Sequence, residues 1–164
     1  MASLKYGCIH PTPETVEVPV AASQYFYHNG VNAVYLDTSG HATLALTATA
    51  TLYGIAIVPK GRGAGASDNY WLSSATAGKD KIAVIPATAG HKFMLPGNIT
   101  ATTAMKAGAW DLIAVNDGTA TTVDLDTSST DVFIVDDLAT NVVAGAGIAD
   151  VIARINPAKI QADT

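Results

Sequence analysis

Hydrophobic and polar positions alternate over short stretches of this chain, and almost nowhere do apolar residues recur at helical spacing. "NAVYLDT" sets Val34 and Leu36 against Ala33, Tyr35 and Asp37, and a period of two places one set on each face of a strand. "HATLALTATATLYGIAIVP" carries Leu44 and Leu46 on one face, then turns apolar throughout. "KIAVIP", "HKFMLP", "WDLIAVN", "TTVDLD", "DVFIVDD" and "ADVIARIN" are rich in Val, Ile and aromatic residues and are bounded by Gly, Asn, Asp or Pro. That is the composition and punctuation of strands. Asp117-Gly118, between "DLIAV" and "TTVDL", predicts a tight hairpin. Helix signals are weak: a short helix over 67–76 with Ser67 as N-cap, and one turn over 100–106, opposed by three threonines.

The start differs. "MASLKYGCIHPTPETVEVPVAA" holds three of the seven prolines, and Pro11 and Pro13 lack the N–H that a central strand needs. Residues 1–22 are expected to form an extended arm that runs into a first strand at 15–20. Residues 23–164 read as a single β-rich domain with a glycine-rich loop at about 60–78, and no sequence repeat divides them. The expected fold is all-β, a mainly antiparallel small barrel or sandwich with an extended N-terminal arm and little helix. The period-two pattern nominates Phe93, Leu95, Leu112, Val115, Val123, Leu125, Phe133, Val135, Val151 and Ile155 for the core. Arg154, alone in the last apolar strand, is expected to face outward or to pair with an aspartate such as Asp111 or Asp150.

Composition narrows the class. The 164 residues suffice for one sizeable core. The chain is 49% hydrophobic with a mean hydropathy of +0.27, yet only 14% is charged, well under the roughly 25% of an ordinary soluble domain. A surface made of Thr, Ser, Ala and Gly suits a protein largely covered by partners. The net charge is −5 and the nine basic residues are scattered, which argues against direct nucleic-acid binding. One cysteine cannot form an internal disulfide. The start has no basic-then-apolar secretory pattern, and the longest apolar run, near 53–59, is too short to span a bilayer. These features predict a soluble chain made in a cytoplasm, with no membrane partner.

Candidate chemistry is sparse. "VPKGRGAGASDNYW" contains Gly61, Gly63 and Ala66 in the Gly-x-Gly-x-x-Ala spacing of a dinucleotide loop. That loop must open a helix and be followed by an acidic residue at the end of the next strand. Here the next strand, "KIAVIP", ends in Pro86 and Ala87, and strand–helix alternation is missing. A phosphate-binding loop also fails, because Asp80 follows Gly78-Lys79 and Ser73 stands where the first Gly belongs. Asp124, Asp126 and Ser128 match the first calcium-loop spacings, but Ser129 and Val135 replace the required Gly and Glu. The plain alternative is surface carboxylates. His10, His28, His41 and His91 are dispersed, no Gly-x-Ser-x-Gly elbow exists, and Cys8 lies in the arm. No enzyme, cofactor or metal is expected. Trp110 is expected to cap the core, and Trp71 to anchor a loop or make an interface contact.

The second half carries a resemblance. "KDKIAVIPATAGHKFMLP" is followed by "GAWDLIAVNDGTATTVDLDTSSTDVFIVDDL" and by the closing "DVIARINPAKIQ". This order of strands and turns over roughly 80–162 resembles the small capsid cement, or head decoration, proteins of tailed bacteriophages. The resemblance rests on order and turn chemistry rather than an invariant signature, and the glycine loop with "SDNYWLSSA" falls outside it. It implies a non-enzymatic virion protein on the outer surface of the assembled head, made in the host cytoplasm. Its partners would be the major capsid protein and itself, as a homotrimer. Tyr6, Ile9, Pro11, Pro13, Val16 and Val18 of the arm, with Lys60, Arg62, Tyr70 and Trp71 of the loop, are the expected capsid or subunit contacts. The competing classes are another β-rich virion component, such as a tail-tube or head-completion protein, and a carbohydrate-binding β-sandwich using Asn69, Tyr70 and Trp71.

Overall fold

The computed structural model describes residues 7–9, 13–28, 30–58, 70–87, 90–117, 121–139 and 150–161. The first strands are β1 (Gly7–Cys8), β2 (Val16–Pro19), β3 (Tyr25–Tyr27), β4 (Asn32–Leu36), β5 (Ala42–Leu44) and β6 (Gly54–Ile57). They are followed by β7 (Tyr70–Leu72), β8 (Lys81–Pro86), β9 (Phe93–Pro96) and β10 (Ala109–Ile113). The last are β11 (Thr122–Asp124), β12 (Phe133–Leu138) and β13 (Asp150–Ile155). Among the described residues the helical elements are 3-10 turns at Thr103–Met105 and Pro157–Lys159. The fold is all-β and antiparallel, with sheets curled into half-barrels.

Two of the sheets share one plan. The five-stranded sheet runs β2-β8-β6-β4-β5, and the six-stranded sheet runs β1-β9-β13-β12-β10-β11. Without β1, both follow the order first-fifth-fourth-second-third within their own half. Five strands of alternating direction leave the two outer ones parallel, so a curled sheet of this kind can meet itself only at a parallel contact. Both sheets do so, at Val20↔Ala42 and at Gly97↔Val123. The register agrees as well. Leu36↔Ala42, Ala33↔Ile55, Ile55↔Ile85 and Val18↔Ile82 in the first unit correspond to Leu112↔Val123, Ala109↔Ile134, Ile134↔Arg154 and Leu95↔Val151 in the second. The chain is thus a structural duplication of one five-stranded unit.

Side-chain alternation explains how the units fit together. Val18, Val34, Ala56, Ile82 and Val84 point into the first unit and form one core with Phe26 and Trp71. The opposite face of that sheet, with Ala33, Ile55 and Ile85, belongs to the core that holds Phe93, Leu95, Leu112, Phe133 and Val151. The inside of the second unit and the outer face of the first are therefore one hydrophobic cluster. Gly54 is required on the inner face of the first unit, opposite Val34, because an added Cβ would run into the Ile85 carbonyl oxygen and stand 2.8 Å from Val84 Cγ1.

Several expectations need correction. The 67–76 segment is not a helix where it is described: Tyr70–Leu72 is a strand paired with Tyr25–Tyr27, while Ser67 lies outside the described residues. β5 stops at Leu44, so Leu46 is 41% exposed rather than sharing the buried face of Leu44. Of the ten expected core residues nine are buried; β10 ends at Ile113, and Val115 beyond it is 54% exposed. Arg154 pairs with Asp136, its Nε 3.1 Å from Oδ1, and not with Asp111 or Asp150. The first strand, expected over 15–20, is β2 (Val16–Pro19), an outer strand of the five-stranded sheet. The expected turn within 100–106 is the 3-10 turn Thr103–Met105.

Candidate functional site

Three aromatic residues in β3 and two in β7 build a two-stranded ribbon whose faces differ in kind. Phe26 pairs with Trp71 on the inner face, and their rings stack at 5.5 Å. Both are buried. Tyr25 faces Leu72 and Tyr27 faces Tyr70 on the outer side, where the Tyr25 and Tyr70 rings lie 5.1 Å apart. These outer residues are half-buried, except Leu72, which is exposed.

Polar side chains hold the ribbon to the body. The buried Asn32 accepts the Tyr27 N–H at 2.8 Å and donates its amide to the Tyr27 carbonyl at 2.9 Å. The Ser73 hydroxyl accepts from the Gln24 N–H and donates to the Ala21 carbonyl, both at 2.8 Å. Asn116 accepts the Tyr25 N–H at 2.8 Å, reaching from the segment after β10. The Thr47 N–H in turn donates to the Ala114 carbonyl at 3.3 Å. Leu72 on the ribbon and Val115 beside Asn116 are exposed near Tyr25, and the exposed Leu46 adjoins Thr47, which is bonded to Ala114. An amphipathic aromatic surface fixed in advance loses little entropy when covered, which is why tyrosine is favoured at interfaces.

The second polar feature is internal. Asp111, buried in β10, accepts N–H bonds from Ser129 at 2.9 Å, Thr130 at 2.7 Å and Asp131 at 2.7 Å, and the Ser129 hydroxyl at 2.6 Å. Burial pushes its carboxyl up, but the Ser129 hydroxyl and the N–H groups of Asp131, Ser129 and Thr130 outweigh this and hold it well below the usual range. Asp131 adopts a left-handed backbone, φ 55°, which closes the loop around the carboxylate. Asp111 is thus a tether for 127–131.

Other polar groups also have partners within the chain. Asn98 donates to Asp124 at 2.7 Å and to Asp126 at 3.3 Å. The hydrogen bond with Asp124 raises the Asp126 carboxyl. Asp124 is lowered: burial raises it, but the bonds from Asp126, Thr127 and Asn98 prevail. His41 Nδ1 lies 3.3 Å from Asp37. Among the described residues no group of three or more His, Cys, Asp or Glu side chains is placed to hold a metal ion, and no helix is long and apolar enough to cross a membrane.

The expected contact residues are dispersed. Ile9 and Val16 are exposed and Pro13 is half-buried. Val18 and Trp71 are buried in the first unit's core, so they cannot serve as open contacts. Tyr70 is on the outer face of the ribbon. Tyr6, Pro11, Lys60, Arg62 and the carbohydrate candidate Asn69 lie outside the described residues. Sequence reasoning missed Tyr25 and Tyr27, although "YFY" alternates two tyrosines around the buried Phe26. Compared with known proteins, the chain matches no family model, no curated protein sequence and no solved structure.

Proposed function

We propose that this chain is a non-enzymatic structural protein that binds the outside of an assembled tailed-phage head and bridges neighbouring major capsid subunits, acting as a homotrimer. The observation that carries the reading is the outward face of the β3–β7 ribbon, where Tyr25, Tyr27 and Tyr70 sit beside Leu72 on a frame locked by Asn32, Ser73 and Asn116. The order of strands and turns over 80–162, the low charge and the exposed Val16 on an outer strand support it further. An outer strand offers main-chain groups to a neighbour, and several weak patches on one trimer gain avidity together. The carbohydrate reading needs Trp71 as an open platform, and Trp71 is stacked on Phe26 at 4% exposure.

The test is binding to purified heads. The protein is expected to bind expanded empty heads and not unexpanded ones, and Tyr70→Ala with Tyr25→Ala is expected to weaken binding while the fold persists. Wild-type protein that ignores expanded heads contradicts the proposal.

A further inference from the structure

The duplication makes the two units comparable position by position, and one difference stands out. In the first unit Ala33, Ile55 and Ile85 form an outward face that is buried against the second unit. The equivalent residues of the second unit are Ala109, Ile134 and Arg154, all half-buried. Arg154 replaces an isoleucine. β12 also carries one residue more than β6 at this point, an irregularity between Val135 and Asp137 that inserts Asp136. Such a bulge re-aims a side chain. Asp136 Oδ1 accepts Arg154 Nε at 3.1 Å, and Lys92 Nζ lies 3.7 Å from Oδ2. A substitution and an insertion have together put an ion pair where the first unit buries aliphatic side chains.

We infer that the Asp136–Arg154 pair keeps this outer face of the second unit from being covered by a second copy of this chain. Met94, paired to Ile152, and Ile134 make the centre of this face apolar, while Lys92 and the exposed Asp137, which faces Ile152 and binds Lys106, lie at its border. A unit that packs on its neighbour through this face, repeated from copy to copy, is a heterologous contact and builds an open series. End units of repeat proteins need a polar outer face for this reason. Arg154 keeps about a third of its side chain exposed while Asp136 Oδ2 is already buried, so covering the pair strips water chiefly from the guanidinium with no new partner supplied, and that desolvation opposes association.

The test is the mass of the full chain by sedimentation velocity and light scattering over a range of concentrations. Arg154→Ile with Asp136→Ala is expected to self-associate beyond the wild-type state, roughly tenfold tighter or more, the scale of removing one desolvated charge from an interface. Circular dichroism reports whether the variant is folded. Arg154→Gln with Asp136→Asn, which keeps the shapes and removes the charges, supplies the reading if the first variant is not. Adding Ile134→Asp is expected to restore the wild-type mass. A folded, uncharged variant that keeps the wild-type mass throughout overturns the inference, as does association that survives Ile134→Asp.

Discussion

Replacing Asp111 by alanine removes an acceptor that four donors share. The N–H groups of Ser129, Thr130 and Asp131 and the Ser129 hydroxyl all converge on this buried carboxylate. A buried donor left without an acceptor costs about 1–3 kcal/mol. Some of these donors can turn toward water once the loop is released, so the net loss is about 3–5 kcal/mol rather than the full sum. For a chain of this length each kcal/mol moves Tm by about 2–4 °C, and the midpoint should fall by at least about 6 °C. Chemical denaturation read by circular dichroism gives the same quantity independently. The dependence on pH supplies a second reading. The folded-state pKa of Asp111 is depressed, so its contribution is fully present above the unfolded value of about 3.9 and fades as pH falls toward the folded value. The gap between wild type and Asp111→Ala should therefore be constant above about pH 5 and shrink below about pH 4. A loss under about 1 kcal/mol, or a gap that grows on acidification, refutes the reasoning.

Other outcomes follow from the same geometry. Gly54→Ala forces a Cβ against the Ile85 carbonyl and should cost about 1–3 kcal/mol or more in a thermal melt. Trp71→Ala should cost about 3–5 kcal/mol, since it empties the stack on Phe26. Tyr70→Ala should leave Tm much closer to wild type and act on head binding instead, a split that differential scanning calorimetry and co-sedimentation with heads can read. Leu112→Ala should lose about 2–5 kcal/mol while Val115→Ser stays within about 0.5, because the first is buried and the second is 54% exposed.

The strands were readable because alternation is a local signal. "KIAVIP" is the strand Lys81–Pro86, and nine of the ten nominated core residues are buried, since one face of each strand must point inward. What failed was long-range. "YWL" becomes a strand because Tyr25–Tyr27, far back in the chain, pairs with it, and no window around Tyr70 contains that information. Asp136 answers Arg154 because a bulge turns it outward, a feature invisible in strict alternation. The duplication also escaped notice. Pro19 and Pro96, Leu36 and Leu112, and Ile55 and Ile134 are equivalent and identical, but Gly54 corresponds to Phe133 and Val34 to Trp110. Ring position is conserved by register, and core volume is shared out differently in each unit. The aromatic ribbon was half legible: Tyr70 and Trp71 drew attention as a pair, but only pairing with β3 sends one outward and the other into the core.

The proposal that this chain holds a phage head together from outside is tested most directly by the rupture temperature of purified expanded heads. Heads saturated with the protein should rupture at a higher temperature than bare heads, with the gain lost when Tyr25 and Tyr70 are both replaced by alanine. Identical rupture temperatures with and without the protein, at concentrations that saturate any binding, would contradict it.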